Sequence, residues 1–252
     1  MSKFFTVEIK PIIAASKQTV NFGGDGLHDV LFDWTSFQIP KGAHRLTSVA
    51  VAFRGSNGAV QTAFEFDLHF AKTVDGVAPV TMGTVNDTMT GAPILTNHII
   101  GKSHFEVGDF GNNGWDYIGS AQTGGGAGTS NIPSLVLQGE PDSGDNVGYD
   151  TLYIGGEMAA YDDDGFDFVS TVQVATETAT NTTAVVVKTT SALTTFAVGD
   201  ILHDENDQVI GTIKTITDAT NLVLEENCAS VSAVNKDLYN INPIKITLSF
   251  ER

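Results

Sequence analysis

A strict two-residue alternation of apolar and polar side chains is the feature that most constrains how this chain can fold. It is clearest in residues 64–70, which read Phe-Glu-Phe-Asp-Leu-His-Phe. Successive side chains of a β-strand point to opposite faces, so the three phenylalanine rings and Leu68 share one face, with the polar side chains on the other. Burying four such side chains contributes about 1.5 to 3 kcal/mol each, which requires a second layer packed against this strand.

Runs of similar character recur along the first two thirds of the chain and are separated by turns that contain Gly, Pro, Asn or Asp. They occupy residues 4–10, 30–37, 45–53, 132–137 and 151–157. Short strands at this spacing favour a sandwich of two sheets. The pattern therefore predicts an all-β, jelly-roll-like β-sandwich with very little helix, although residues 84–100 are irregular enough to contain a short helix.

From residue 172 onward the apolar runs become shorter and more closely spaced, and Thr and Val dominate them. This texture predicts a small β-barrel domain over residues 172–242. Residues 244–250 then alternate as cleanly as residues 4–10 and need a sheet to join. The barrel is therefore predicted to be an insertion, with residues 1–171 and 243–252 together forming the sandwich domain.

The charge balance limits the kinds of partner. The chain has 13 Lys and Arg against 30 Asp and Glu, a formal net charge of −17, and so acidic a surface repels phosphate backbones and anionic lipids. No window approaches the roughly 18 consecutive apolar residues of a membrane-spanning helix. Cys228 is the only cysteine, so an oxidising compartment is not implied. Neither nucleic acid nor membrane is expected as a partner.

Local motifs for catalysis are weak. The Asp-Ser-Gly triplet at 142–144 lacks the sequence context of a serine protease nucleophile, and the glycine run at 124–128 lacks the Gly-Lys-Ser/Thr ending of a phosphate-binding loop. The six histidines are scattered without the spacing of a local metal motif. The sequence predicts no enzyme and no cofactor. Paired carboxylates for glycosidic cleavage, assembled from distant strands, are an arrangement that the absence of local motifs does not exclude.

Two further segments are candidate binding sites. Asp162, Asp164 and Asp167 lie in the densest acidic run and form a weak calcium candidate, but the ligand spacing of a helix-loop-helix calcium site is absent, and a solvated turn is the simpler interpretation. Trp115 and Tyr117 lie in a loop-like segment. Their rings could plug one end of the sandwich, anchor a protein interface or stack on a sugar.

Three segments of the predicted barrel carry a family resemblance: Val-Gly-Asp-Ile-Leu (198–202), Val-Ile-Gly-Thr-Ile (209–213) and Asn-Leu-Val-Leu (221–224). They resemble the small β-barrel modules of structural proteins in tailed bacteriophages. Residues 3–10 and 31–37 are similar to virion proteins of aquatic phages. The resemblance implies a capsid decoration protein. The shell-forming major capsid protein is a poorer match because it needs a long helix that this sequence does not offer.

The resemblance also implies a location and partners: synthesis in the host cytoplasm, residence in the virion, docking on the major capsid protein and assembly as a homo-oligomer, with a trimer fitting the local symmetry of a shell. The N-terminal strand with Phe4, Phe5 and Val7 is the candidate docking element, and Trp115 and Tyr117 are candidate interface residues. The alternative is a carbohydrate- or receptor-binding module of a phage tail or fibre. A tail tube or baseplate component would differ only in symmetry.

Overall fold

The computed structural model describes residues 3–19, 22, 28–54, 64–90, 97–112, 116–122, 135–140, 148–159, 168, 170–188 and 192–252. Within these ranges the chain forms strands, one four-residue α-helix, α1 (Ala192–Thr195), and two single 3-10 turns. The strands are β1 (Phe4–Ile9), β2 (Val30–Pro40), β3 (His44–Arg54), β4 (Phe66–Lys72), β5 (Ile99–Phe105), β6 (Phe110–Asn112), β7 (Asp116–Gln122), β8 (Leu135–Leu137), β9 (Tyr149–Met158), β10 (Ala184–Val186), β11 (Ile201–Asp204), β12 (Val209–Ile216), β13 (Asn221–Leu224), β14 (Leu238–Asn240) and β15 (Ile244–Glu251).

Two antiparallel sheets form the larger part of the molecule. One has the order β1-β15-β3-β7-β6, with β8 also paired to β3, and the other has the order β2-β9-β4-β5. In each sheet a late strand returns beside an early one, because β15 lies between β1 and β3 while β9 lies between β2 and β4. This is the strand order of a jelly roll, in which Greek keys wrap into a two-sheet sandwich. The predicted all-β sandwich is confirmed.

The core lies between the two sheets and is built from the alternating faces that the sequence predicts. The apolar face of β4 is fully covered, and β15 contributes Ile244, Ile246, Leu248 and Phe250, each with no exposed surface. Five phenylalanine rings pack together at one end of this core, with centroid separations from 4.8 to 6.2 Å. They are Phe53, Phe64, Phe66, Phe105 and Phe110.

Two consecutive glycines in β9 make room for large rings on both faces of the second sheet. A Cβ atom added at Gly156 would lie 2.4 Å from the ring of the buried Phe32, on the core side. One added at Gly155 would lie 2.3 Å from the Met82 sulfur and 3.0 Å from the ring of Trp34, on the outer side. Real Cβ contacts are essentially never this short, so a larger residue at either position would displace the rings that pack beside β9.

The irregular stretch from 84 to 100 contains no helix in its described parts, 84–90 and 97–100. Residues 85–89 instead hydrogen-bond alongside residues 28–30 at the edge of the second sheet, and Met82 lies on its outer face. Met82, Val85 and Met89 pack there with Val30 and Trp34 in a small apolar cluster. The Trp34 indole N–H donates to the Val80 carbonyl at 2.8 Å, which fixes this segment on the sheet.

A third antiparallel sheet, in the order β10-β13-β12-β11-β14, has an apolar core of its own. Its edge strands β10 and β14 do not pair with each other, but the extended segment 172–175 hydrogen-bonds to both sides. The Lys188 N–H donates to the Gln173 carbonyl, and the Val174 N–H donates to the Lys236 carbonyl, each at 2.9 Å. Closure into a barrel and the bounds of the two domains stay predictions.

Polar contacts join this sheet to the sandwich near the start of β15. Arg54 of β3 forms an ion pair with Asp200, with 3.2 Å between Nη2 and Oδ1. The Ser16 N–H donates to Asp207 Oδ1 at 3.0 Å. The Asn242 side-chain amide donates to the carbonyls of Lys10 and Pro11 at 3.0 Å.

No helix in the described part of the chain is long and apolar enough to cross a membrane.

The burial of one histidine predicts that the stability of the third sheet depends on pH. Burial lowers the pKa of His203, and the carboxylates of Asp207 and Asp204 oppose that effect only in part. The folded state therefore resists protonation more than the unfolded chain does. We expect the stabilising contribution of the neutral His203 side chain to be complete above about pH 6.5, the ordinary pKa of histidine. We expect this contribution to be lost as the pH falls below that value.

The variant His203→Gln tests this linkage. We expect its melting temperature to fall less between pH 7.5 and pH 5.5 than that of the natural chain, as measured by thermal unfolding at both values. Equal losses in the two proteins would show that His203 does not carry the effect.

Candidate functional sites

Strand β1 is an open edge of the first sheet. Among the described strands it pairs only with β15. The Arg252 N–H donates to the Lys3 carbonyl at 3.0 Å, and hydrogen-bonded pairs alternate along an antiparallel ladder. The backbone groups of Phe5, Val7 and Ile9 therefore face β15. Those of Phe4, Thr6 and Glu8 point to the open edge.

The side chains of β1 divide in the same alternating manner. Phe5 and Val7 pack against the core, and the Phe5 ring stacks on Phe250 with a centroid separation of 5.1 Å. Phe4 is 71% exposed. Of the three candidate docking residues on this strand, Phe4 alone therefore presents its side chain to a partner, while Phe5 and Val7 fasten the strand to the sandwich.

Among the other sequence-predicted candidates, Tyr117 has a described backbone, and it does not lie at this edge. Tyr117 lies in β7 opposite Phe53 of β3, and its side chain is outside the described part of the structure. Trp115 and the calcium candidates Asp162, Asp164 and Asp167 lie outside the described residues.

A groove of about 650 Å³ separates β1 from β2 at this side of the sandwich. Strand β2 is the outermost strand of its own sheet, so edge strands of both sheets border the groove. Its lining consists of residues 7–10 and 35–38 and Thr151. Backbone hydrogen-bonding groups at a sheet edge are a template for an added strand, and of the residues that point to the open edge of β1, Glu8 lines this groove.

A second constellation lies on the outer face of the second sheet. Asp67 and His69 project from β4, and Glu157 lies directly opposite Asp67 on β9. One ligand atom from each of these three side chains lies within 4.8 Å of the other two. His69 Nε2 is 2.6 Å from Glu157 Oε2. We refer to Asp67, His69 and Glu157 as the carboxylate-histidine cluster.

Three basic groups surround the cluster. His104 Nδ1 is 2.8 Å from Asp67 Oδ1, and Lys102 Nζ is 2.7 Å from Asp67 Oδ2, both from β5. His28, which precedes β2, contacts the second oxygen of Glu157 through Nδ1. Both carboxylates thus have partners on both oxygens.

The cluster carboxylates are buried although they face away from the core. Asp67 is 6% exposed and Glu157 is 4% exposed. Burial acts to raise the pKa of Glu157, but the hydrogen bonds and charges of His69 and His28 outweigh it, so the pKa lies below its ordinary value. Glu157 is therefore an anion in the folded protein. Imidazole and carboxylate groups that converge on one point are the donor set of a transition-metal site.

Sequence reasoning missed this cluster because its members come from different strands. The alternation at residues 64–70 places Asp67 and His69 on one face but predicts that this face is solvated. Nothing local to β4 indicates that Glu157, ninety positions later in the chain, lies opposite Asp67. The available signal was weaker: Asp67 in β4 and Glu157 in β9 are acidic residues within largely apolar strands.

The fold thus defines an all-β protein of the jelly-roll sandwich class. No protein-family model matches the chain, and no curated protein sequence matches it. Among solved structures, it is similar to the VP2 subviral particle of infectious bursal disease virus, with 9% sequence identity and a TM-score of 0.18 over 99% of this chain. The match covers 41% of the VP2 chain, so this protein spans about two fifths of the length of VP2. A TM-score this low does not define a shared fold.

Proposed function

We propose that the chain is a non-enzymatic virion structural protein, a capsid decoration protein that docks on the shell and stabilises it. The observation that carries the proposal is the open edge of β1 beside the groove shared with β2. Unpaired edge strands in monomeric proteins are usually protected by charge, proline or a bulge. The first four residues of β1, Phe-Phe-Thr-Val, have none of these and expose Phe4.

The proposed occupant of this edge is an extended segment of the major capsid protein, added to β1 as a further strand. Backbone hydrogen bonds to Phe4, Thr6 and Glu8 would supply affinity, and the Phe4 ring would supply an apolar anchor. The net charge of −17 favours a partner segment that carries Lys or Arg. Assembly as a homo-oligomer, with a trimer expected, would multiply the affinity of each docked strand.

The single cysteine suits a protein that is made in the host cytoplasm and then persists in a virion. Cys228 is buried in the core of the third sheet. Burial raises the pKa of its thiol, so little of the reactive thiolate form is present. The chain therefore tolerates a change from reducing to oxidising surroundings.

The variant Thr6→Pro tests docking through β1. Proline removes the N–H that points to the open edge and leaves the ladder with β15 intact, as proline is accepted in edge strands. We expect the ratio of this chain to the major capsid protein in purified particles, measured by quantitative mass spectrometry, to fall about tenfold or more, because a lost hydrogen bond costs about 1 kcal/mol at every docked strand of the oligomer.

Thr6→Val is the matched control, because it keeps the N–H in a β-branched residue, and it should attach normally. Thermal unfolding of both variants should resemble that of the natural chain. Normal occupancy of the proline variant would exclude β1 as the docking strand. Glycan binding by a chain that is absent from particles would favour the receptor-binding alternative.

A further inference from the structure

We propose that Asp67, His69 and Glu157 bind one divalent transition-metal ion, with Zn²⁺ as the best match, and that this ion fastens β4 to β9 on the outer face of the second sheet. This site is independent of the β1 edge and goes beyond the proposed docking function.

The distances suit one small ion. Zinc binds imidazole nitrogen at about 2.0 to 2.1 Å and carboxylate oxygen at about 2.0 to 2.2 Å, so two ligand atoms of a tetrahedral site lie about 3.4 Å apart. The three ligand atoms of the cluster already lie within 4.8 Å of one another. Small side-chain rotations would bring them to that spacing. The strand pairing of Asp67 with Glu157 holds their backbones in place.

The charges also call for a cation. Two nearly buried carboxylates face each other across β4 and β9, with Lys102 as the only lysine or arginine that forms an ion pair with either of them among the described residues. The hydrogen bond between His69 and Glu157 needs a proton on the imidazole Nε2, since Glu157 is an anion. A divalent cation takes the place of that proton, which moves to Nδ1 or to solvent, and its two positive charges balance the two carboxylates.

The surroundings provide the outer contacts that metal ligands require. His104 and Lys102 orient Asp67 through its two oxygens. Such outer-shell bonds fix the direction of a ligand and strengthen binding. His28 contacts Glu157 through Nδ1, and its side chain is 61% exposed, so it would supply the fourth ligand of a tetrahedral site by turning away from Glu157.

The ligand chemistry selects among metals. Calcium takes six to eight oxygen ligands, and magnesium requires an octahedron of oxygens. A set that combines imidazole with carboxylates fits zinc and other first-row divalent metals. Binding to the folded state alone should raise the melting temperature by about 5 to 10 °C when free Zn²⁺ is a hundredfold above its dissociation constant, while Ca²⁺ at the same concentration should leave it unchanged.

Calorimetric titration of tag-free protein, stripped with a chelator, with Zn²⁺ tests the proposal. The natural chain should bind one ion with an affinity that falls at least about a hundredfold in Asp67→Asn and in His69→Gln. The matched control is His203→Gln, which removes a half-buried histidine far from the cluster in the third sheet and should bind like the natural chain. Stripped protein loaded with Co²⁺ should show the visible absorption of a tetrahedral ion, and His69→Gln should lose it.

Three results would overturn the assignment: no stoichiometric Zn²⁺ binding by the natural chain, undiminished binding by both cluster variants, or equal loss in the His203 control. If a cluster variant does not fold, the proposal is tested on the natural chain alone, by its Co²⁺ spectrum and its melting temperature in Zn²⁺. A missing tetrahedral Co²⁺ spectrum together with an unchanged melting temperature in Zn²⁺ would then refute the site.

Discussion

Replacing Phe66 with alanine is expected to lower the free energy of unfolding by about 3 to 5 kcal/mol, the usual cost of removing a buried aromatic ring. Phe66 has no exposed surface. Its ring stacks on Phe105 at a centroid separation of 4.8 Å and meets Phe53 edge-on at 5.3 Å. The cavity would open at the centre of the five-ring cluster, where both sheets contribute, so the strand backbones cannot close it.

Urea unfolding measures this loss, and Phe4→Ala is the matched control. Phe4 has the same side chain but is mostly exposed on the edge strand β1, so its removal should change stability by less than about 0.5 kcal/mol. Similar losses for the two variants would mean that the alternation in β4 does not define the core.

Asp204→Ala is expected to destabilise the third sheet by about 2 to 4 kcal/mol, because it leaves several donors without an acceptor. Asp204 is buried at the end of β11. Its Oδ1 accepts the N–H groups of Asn206 and Gln208 at 2.9 and 3.1 Å, and its Oδ2 accepts the Ser232 hydroxyl at 3.0 Å. The side chain therefore holds the turn between β11 and β12 and ties it to Ser232.

Asp204→Asn keeps an acceptor for the turn and should lose much less stability in the same urea experiment. Amide hydrogen exchange adds a test of the predicted domain division. The loss of protection in Asp204→Ala should be confined to residues 172–242. An equal loss of protection throughout the sandwich would contradict a separate small domain. If Asp204→Ala keeps its stability in urea, the turn does not need the Asp204 carboxylate as an acceptor.

The sequence predicts the central strands well because their burial is periodic. Residues 64–70 and 244–250 each place apolar side chains on one face, and the structure puts those faces at the centre of the sandwich in β4 and β15. The run at 30–37 likewise begins where β2 begins. Local alternation reports which face is buried, so strands between two layers can be read directly from it.

Strand β5 shows why some strands could not be predicted from the alternation of the sequence. Its sequence, Ile-Ile-Gly-Lys-Ser-His-Phe, does not alternate cleanly, because it is an outer strand with Ile99 exposed. The Leu135 side chain fills the place where a Cβ of Gly101 would stand. That packing depends on a partner distant in sequence. The carboxylate-histidine cluster was missed for the same reason, since its members meet only after β4 and β9 pair.

Imaging the intact particle at residue resolution tests the central claim most directly. The proposal predicts this chain on the outside of the shell, with a strand of the major capsid protein hydrogen-bonded to the open edge of β1 at Phe4, Thr6 and Glu8. Particles that lack the chain, or in which that edge of β1 faces solvent while another surface makes the contact, would contradict it.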